Sequence, residues 1–149
     1  MKKSFFFTLI SLFFATLLIA QNTGASTTSP SINDQEVRKT TESLTAKYML
    51  NADQAKQMYT IQLRKAKNMA QIETFQTTEP ALFRAKMQNI QRSTVTNIRR
   101  ILNTKEQVEI YQKTQAEIRV LRNKKQKELA AQKASKETVE IALLAIYAE

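Results

Sequence analysis

The chain has 149 residues, with 23 lysines and arginines against 13 aspartates and glutamates, and it contains no histidine and no cysteine. This composition excludes disulfides, the common metal sites and the usual nucleophile–base pairs, so we expect neither an enzyme nor a cofactor. A single glycine also excludes a glycine-rich phosphate-binding loop. Good helix formers are abundant while glycine and proline are rare, which predicts an all-α fold.

The first twenty residues have the composition of a secretory signal peptide. A basic start is followed by an apolar run over residues 5–19 and by small residues at Ala20 and Ala25. We predict a signal peptide over residues 1–20, with cleavage after Ala20 or, as the alternative, after Ala25. The run is short for a membrane span of ~20 residues, so an uncleaved anchor is the less favoured interpretation. The mature protein is therefore expected in the periplasm or outside the cell.

Composition divides the mature chain into three segments. Residues 21–32 are uncharged and rich in Ser and Thr, which predicts a flexible leader. Residues 33–134 are predicted to form a helical domain. Residues 135–149 become apolar again and are expected to form a helix or tail that docks on the body, pairs with another subunit or stays free.

About four helices are predicted in this domain, over residues 33–49, 52–75 and 79–102 and from residue 104 onward. Apolar residues recur every three or four positions in the second and third of them. Only a short break around Pro80 separates these two helices, so we expect a long central antiparallel hairpin, with Thr78 as the cap of its second helix. The fourth helix is expected to bury Val108, Tyr111, Ile118 and Leu121.

Four methionines, Met49, Met58, Met69 and Met87, occur in or beside the predicted helices. Their helical spacing favours core packing. An adaptable binding surface is the alternative, because the thioether side chain fills irregular shapes.

The positive charge is concentrated in the predicted hairpin. Residues 54–105 contain ten cations and two acids, whereas the rest of the chain after residue 20 contains eleven of each. Such a field attracts anionic partners, although a solvated face that keeps the protein soluble is the alternative interpretation. The candidate contact residues are Arg64, Lys65, Arg92, Arg99 and Arg100. Nucleic acid is a less favoured partner, because the chain has a signal peptide and no recognised nucleic-acid motif.

Two helix starts in the sequence repeat one pattern. Asn51 precedes Gln54 by three residues, and Thr104 precedes Gln107 by three. This spacing predicts a capping box, in which the first side chain accepts a backbone N–H and the glutamine reaches back to the cap.

The two starts resemble the L-T-x-x-Q motif of the Spy/CpxP family of small periplasmic proteins. Residues 50–54, which begin at Leu50, match it with Asn51 in place of Thr, and residues 104–107 match the T-x-x-Q part with Asn at position 103 instead of Leu. The resemblance covers about residues 44–121 in helix order and length. It implies a four-helix, cradle-shaped, dimeric protein that is an ATP-independent chaperone, which binds clients on a basic concave surface, or an envelope-stress sensor.

The resemblance and the charge pattern together lead to three functional hypotheses. The first is a periplasmic holdase that binds unfolded or acidic polypeptides on the basic hairpin. The second is a regulatory or structural module for one acidic envelope partner. The third is a protein that binds an anionic surface of lipid or glycan.

Overall fold

The computed structural model describes residues 32–147. Within this range there are six α-helices and no β-strand, which confirms the all-α prediction. The helices are α1 (Asp34–Lys47), α2 (Ala52–Ile72), α3 (Phe75–Thr78), α4 (Pro80–Ile101), α5 (Lys105–Ala131) and α6 (Lys136–Ala145). The predicted signal peptide and both cleavage positions lie outside the described residues. None of the described helices combines the length and the apolar character needed to cross a membrane.

Helices α2 and α4 form the long antiparallel hairpin that their apolar periodicity predicts. Near the turn, Ile72 of α2 packs against Phe83 and Ile90 of α4. At the other end, Met58 of α2 and Ile98 of α4 belong to a second cluster. This second cluster also contains Leu44, Tyr48, Ile61 and Leu102. Because α1 contributes to that cluster and packs along α2, the three helices share one core.

The turn of the hairpin differs from the prediction. Helix α2 ends at Ile72, and the single-turn helix α3 follows before Pro80 begins α4. The expectation that Thr78 caps α4 is wrong, because Thr78 lies inside α3 and its hydroxyl donates to the carbonyl of Thr74 at 3.0 Å. Glu79 is the N-terminal cap residue of α4 and makes no side-chain capping bond. The described residues contain one helix more than expected, α3, and α6 is the helix alternative that was expected for residues 135–149.

Helix α6 joins α5 to the hairpin. It packs against both α4 and α5. Arg84 of α4 pairs with Glu137 and, at 3.4 Å, with Glu140, and the amide of Gln91 donates to the carbonyl of Leu144. Residues 136–145 of the C-terminal segment are therefore a helix that lies on the body of the molecule.

The predicted buried stripe of α5 is wrong in its second half. Leu121 is 54% exposed, and Ile118 is only half-buried. Beyond its first turns α5 packs mainly against α6 and not along the hairpin. Apolar spacing shows which side of a helix is suited to burial, but here no neighbouring helix covers that side at Leu121.

Candidate functional site

The two predicted capping boxes are present and lie at the centre of the fold. Gln54 donates to the Gln107 side-chain carbonyl at 3.0 Å, and Gln107 donates to that of Gln54 at 3.0 Å. Their exposed fractions are only 4% and 3%. The two repeated motifs therefore face each other and form one buried amide pair.

Each glutamine also caps its own helix. The side chain of Asn51 accepts from the backbone N–H of Gln54 at 2.9 Å, and the N–H of Asn51 donates to the Gln54 side chain at 3.0 Å. Thr104 and Gln107 make the equivalent bonds at 3.2 and 3.3 Å. These bonds confirm the capping role that the spacing predicts.

The same amides reach the ends of two other helices. Gln54 donates to the carbonyl of Ile101 at 2.6 Å, and Gln107 donates to that of Met49 at 3.2 Å. Met49 has a φ of 52°, in the left-handed region that commonly ends a helix. One amide pair thus connects the ends of α1 and α4 to the starts of α2 and α5. This arrangement gives the motif a structural role.

An open groove of about 640 Å³ lies among α1, α2, α4 and the end of α6. Its apolar lining residues are Leu44, Met69, Met87, Ile90, Leu144, Ala145 and Tyr147. Its polar and charged lining residues are Glu36, Lys39, Thr40, Ser43, Lys65 and Gln91. A neighbouring pocket of about 400 Å³ between α1 and α2 shares Lys65 and Met69 with it and extends to Ile32. We call the two together the methionine groove.

The methionines divide between the two interpretations. Met58 is completely buried in the core, whereas Met49 is 59% exposed. Met69 and Met87 are half-buried and line the methionine groove. Core packing therefore explains Met58, and Met69 and Met87 pack against the core cluster near the turn of the hairpin and also line the groove.

The five predicted contact residues do not form one surface. Lys65 is half-buried and lines the methionine groove, whereas the neighbouring Arg64 is exposed and is rotated by about 100° around α2. Arg92 and Arg99 are two helical turns apart, on the side of α4 opposite its buried residues, and Arg100 is exposed beside them. Only Lys65 of the five faces the groove.

Most of the hairpin's charge is not neutralised locally. Helices α2 and α4 contain nine lysines and arginines and one acid, Asp53, which pairs with Lys56 at 3.2 Å. Within residues 32–147, no carboxylate lies within ion-pair distance of Arg64, Arg92 or Arg100. Arg99 donates to the carbonyl of Leu102 at 3.3 Å and also lacks a carboxylate partner there. The outer face of the hairpin is therefore a source of positive potential.

A cluster of hydrogen-bonded polar and charged side chains connects the start of α1 to α2. The Tyr59 hydroxyl donates to Asp34, and Arg38 donates to the same carboxylate at 2.7 Å. The hydrogen bond from Tyr59, followed by that from Arg38, lowers the pKa of Asp34 below its ordinary value. The hydrogen bond to Asp34 in turn raises the pKa of Tyr59.

We expect the substitution Tyr59→Phe to destabilise the protein at about pH 7 and to have less effect at about pH 2.5. The pKa of Asp34 is lower in the folded state than in the unfolded state. The stability that its carboxylate contributes is therefore fully present above the unfolded-state pKa, and it is lost as the pH falls through the folded-state pKa. The hydrogen bond from a phenol hydroxyl is stronger when the partner is an ionised carboxylate than when it is a protonated carboxylic acid. The measurement is the urea midpoint of both proteins at the two pH values. An equal difference at both would contradict the coupling to Asp34.

The described residues contain no group of three or more carboxylates that could hold a metal ion. The chain matches no protein-family model, and searches of curated proteins and of solved structures found no match. The resemblance to the Spy/CpxP family therefore stays a prediction that is based on the two helix starts.

Proposed function

We propose that this chain is an ATP-independent periplasmic holdase that keeps unfolded polypeptides soluble by binding their apolar segments in the methionine groove. One observation carries the proposal: a solvent-open groove with a floor of methionine and aliphatic side chains lies on a hairpin with a large excess of positive charge. Open grooves that are lined mainly by apolar side chains are typical of binding sites.

Methionine suits a surface that must accept many sequences. The side chains of Met69 and Met87 are unbranched, with a polarisable sulfur, so they adapt to apolar groups of different shape. Binding of this kind is weak and reversible, and a client leaves the groove when it folds and buries its own apolar residues. No nucleotide is required for this cycle.

The charge on the hairpin has a separate role in this proposal. Arg92, Arg99 and Arg100 lie away from the groove, so they act on an approaching polypeptide through their field rather than by contact. Such a field increases association rates and is screened by salt. We therefore expect capture to be salt-sensitive.

The first test is the aggregation of two unrelated unfolding proteins with and without the purified chain, at low and at high salt. A holdase suppresses the aggregation of both, and less so as the salt concentration rises. Suppression of neither at any salt concentration contradicts the proposal. It would favour the module for one acidic partner, which the unpaired guanidinium groups on the outer face of α4 would suit.

Filling the groove is expected to abolish most of this suppression. Ser43 is exposed on α1 and lines the groove, so the substitution Ser43→Trp places an indole in the groove without changing the core. The matched control is Ser93→Trp, at an exposed position of α4 that does not line the groove. Equal suppression by both variants, with unchanged circular dichroism, would show that clients are held elsewhere.

Neutralising Arg92, Arg99 and Arg100 together with glutamine is expected to slow client capture by about tenfold at low salt and to flatten its salt dependence. The control replaces Lys124, Lys127 and Lys133 with glutamine, because these exposed lysines carry the same charge outside the hairpin. Stopped-flow fluorescence of a labelled client measures the rate. Unchanged capture by the arginine variant, or equal slowing by the control, would show that the charge of the hairpin does not specifically speed client capture.

A further inference from the structure

A separate cavity of about 270 Å³ lies between the middle of α5 and the end of the described chain. Its lining residues are Gln115, Ile118, Arg119, Arg122, Asn123 and Tyr147. We call it the guanidinium pocket, because Arg119 and Arg122 are one helical turn apart and both line it. None of the lining residues within 32–147 has a carboxylate, and the five from α5 lie outside the basic stretch of residues 54–105.

The pocket contains donors that lack acceptors. The side-chain nitrogen of Gln115 is buried and has no hydrogen-bond partner within the described part of the chain. No carboxylate of residues 32–147 lies within ion-pair distance of Arg119 or Arg122. Two guanidinium groups and an unpaired amide favour a ligand that only accepts hydrogen bonds, and a carboxylate is such a ligand.

The guanidinium pocket adjoins the methionine groove. Tyr147 lines both of them, from the segment that follows α6. The groove and the guanidinium pocket therefore share a lining residue, and we expect one bound polypeptide to reach both. This continuity favours a carboxylate that belongs to the bound polypeptide over a free anion.

We propose that the guanidinium pocket binds the side-chain carboxylate of an aspartate or glutamate in a client whose neighbouring apolar segment lies in the methionine groove. The proposal rests on the holdase function and specifies its preferred client, an apolar segment next to an acidic residue. Arginine suits this role because its planar guanidinium group binds both oxygens of a carboxylate at once.

The test compares two fluorescent peptides that share one apolar segment and end in glutamate or in glutamine. Fluorescence anisotropy with the purified chain is expected to show a Kd about five- to tenfold lower for the glutamate peptide, as for one charge-assisted contact. The double variant Arg119→Gln/Arg122→Gln should lose this preference and keep the wild-type Kd for the glutamine peptide. The control Lys113→Gln/Lys133→Gln changes the charge equally at exposed positions outside the hairpin and the pocket and should keep the preference.

A preference that survives in the double variant, or that disappears equally in the control, would overturn the proposal. If neither peptide binds the wild-type chain, the holdase function itself fails. In that case acetate and inorganic phosphate are titrated separately while NMR follows the side-chain amide of Gln115. A shift with acetate that the double variant lacks supports a carboxylate pocket, whereas no shift, or a shift with phosphate alone, overturns it.

Discussion

The substitution Gln54→Glu is expected to lower the free energy of unfolding by about 3–5 kcal/mol at neutral pH. It removes the amide that donates to the Ile101 carbonyl at 2.6 Å and to Gln107 at 3.0 Å. It also places a second carboxylate oxygen against the Ile101 carbonyl and the side-chain oxygen of Gln107, where the two N–H groups that still donate to the first oxygen cannot reach it. The loss is large because this one amide connects the start of α2 to the end of α4 and the start of α5.

This effect has a characteristic dependence on pH. Burial and the facing oxygens favour the neutral form of the introduced carboxyl group, so its pKa is higher in the folded than in the unfolded state. The destabilisation is therefore greatest above the folded-state pKa and decreases as the pH falls through it.

Urea unfolding followed by circular dichroism at about pH 7 and about pH 4 measures both parts of this prediction. The matched control is Gln57→Glu at an exposed position one turn further along α2, which is expected to change stability by less than about 0.5 kcal/mol. Identical urea midpoints for the two variants would show that the amide pair does not connect the helices as described.

Ile98→Ala is expected to lower the free energy of unfolding by about 3 kcal/mol. Ile98 is completely buried in the cluster that α1, α2 and α4 share, together with Met58 and Tyr48. Removing its side chain leaves a cavity that the surrounding long helices cannot fill without shifting out of their packed positions. The protein should remain folded but unfold at a lower urea concentration.

The comparison with Leu121→Ala makes this prediction specific. Both residues lie on apolar helix stripes in the sequence, but Leu121 is 54% exposed, so its truncation should cost less than about 1 kcal/mol. Equal losses for Ile98→Ala and Leu121→Ala would indicate that the exposed side of α5 is covered in solution. A second copy of the chain would then be the first partner to test, by analytical ultracentrifugation.

The amide pair and the methionine groove involve the same two helices, α1 and α4. Gln54 and Gln107 connect the ends of α1 and α4, and residues of these two helices line the methionine groove. Under the proposed holdase function, we expect loss of the pair to reduce the suppression of aggregation in proportion to the loss of folded protein.

Local features of the sequence predicted much of the secondary structure. These features are the helix formers, the break near Pro80 and the spacing of Asn51 and Thr104 from their glutamines. Each depends only on neighbouring residues, so it can be recognised without knowledge of the fold. They predicted an all-α chain, a central hairpin and two capping boxes. They failed at Thr78, where the chain formed an extra helical turn before the capping position.

The placement of the candidate site was less predictable. The charge count located the excess of cations in residues 54–105, but it could not show which side of the hairpin they occupy. Arg92 and Lys65 were assigned to one surface, and the structure places them on different sides. The reason is that α1 and α6 decide which face of the hairpin becomes a groove, and their positions depend on contacts between residues far apart in the sequence.

What the sequence alone determined is therefore what short-range physics controls: helix content, helix starts and the distribution of charge along the chain. The tertiary structure decided the reciprocal pairing of Gln54 with Gln107, the exposure of Leu121 and the meeting of Arg122 with Tyr147 in one pocket. Each of these joins or separates residues of different helices. Helical periodicity specifies which side of a helix is suited to burial, and only the packing of whole helices determines what covers it.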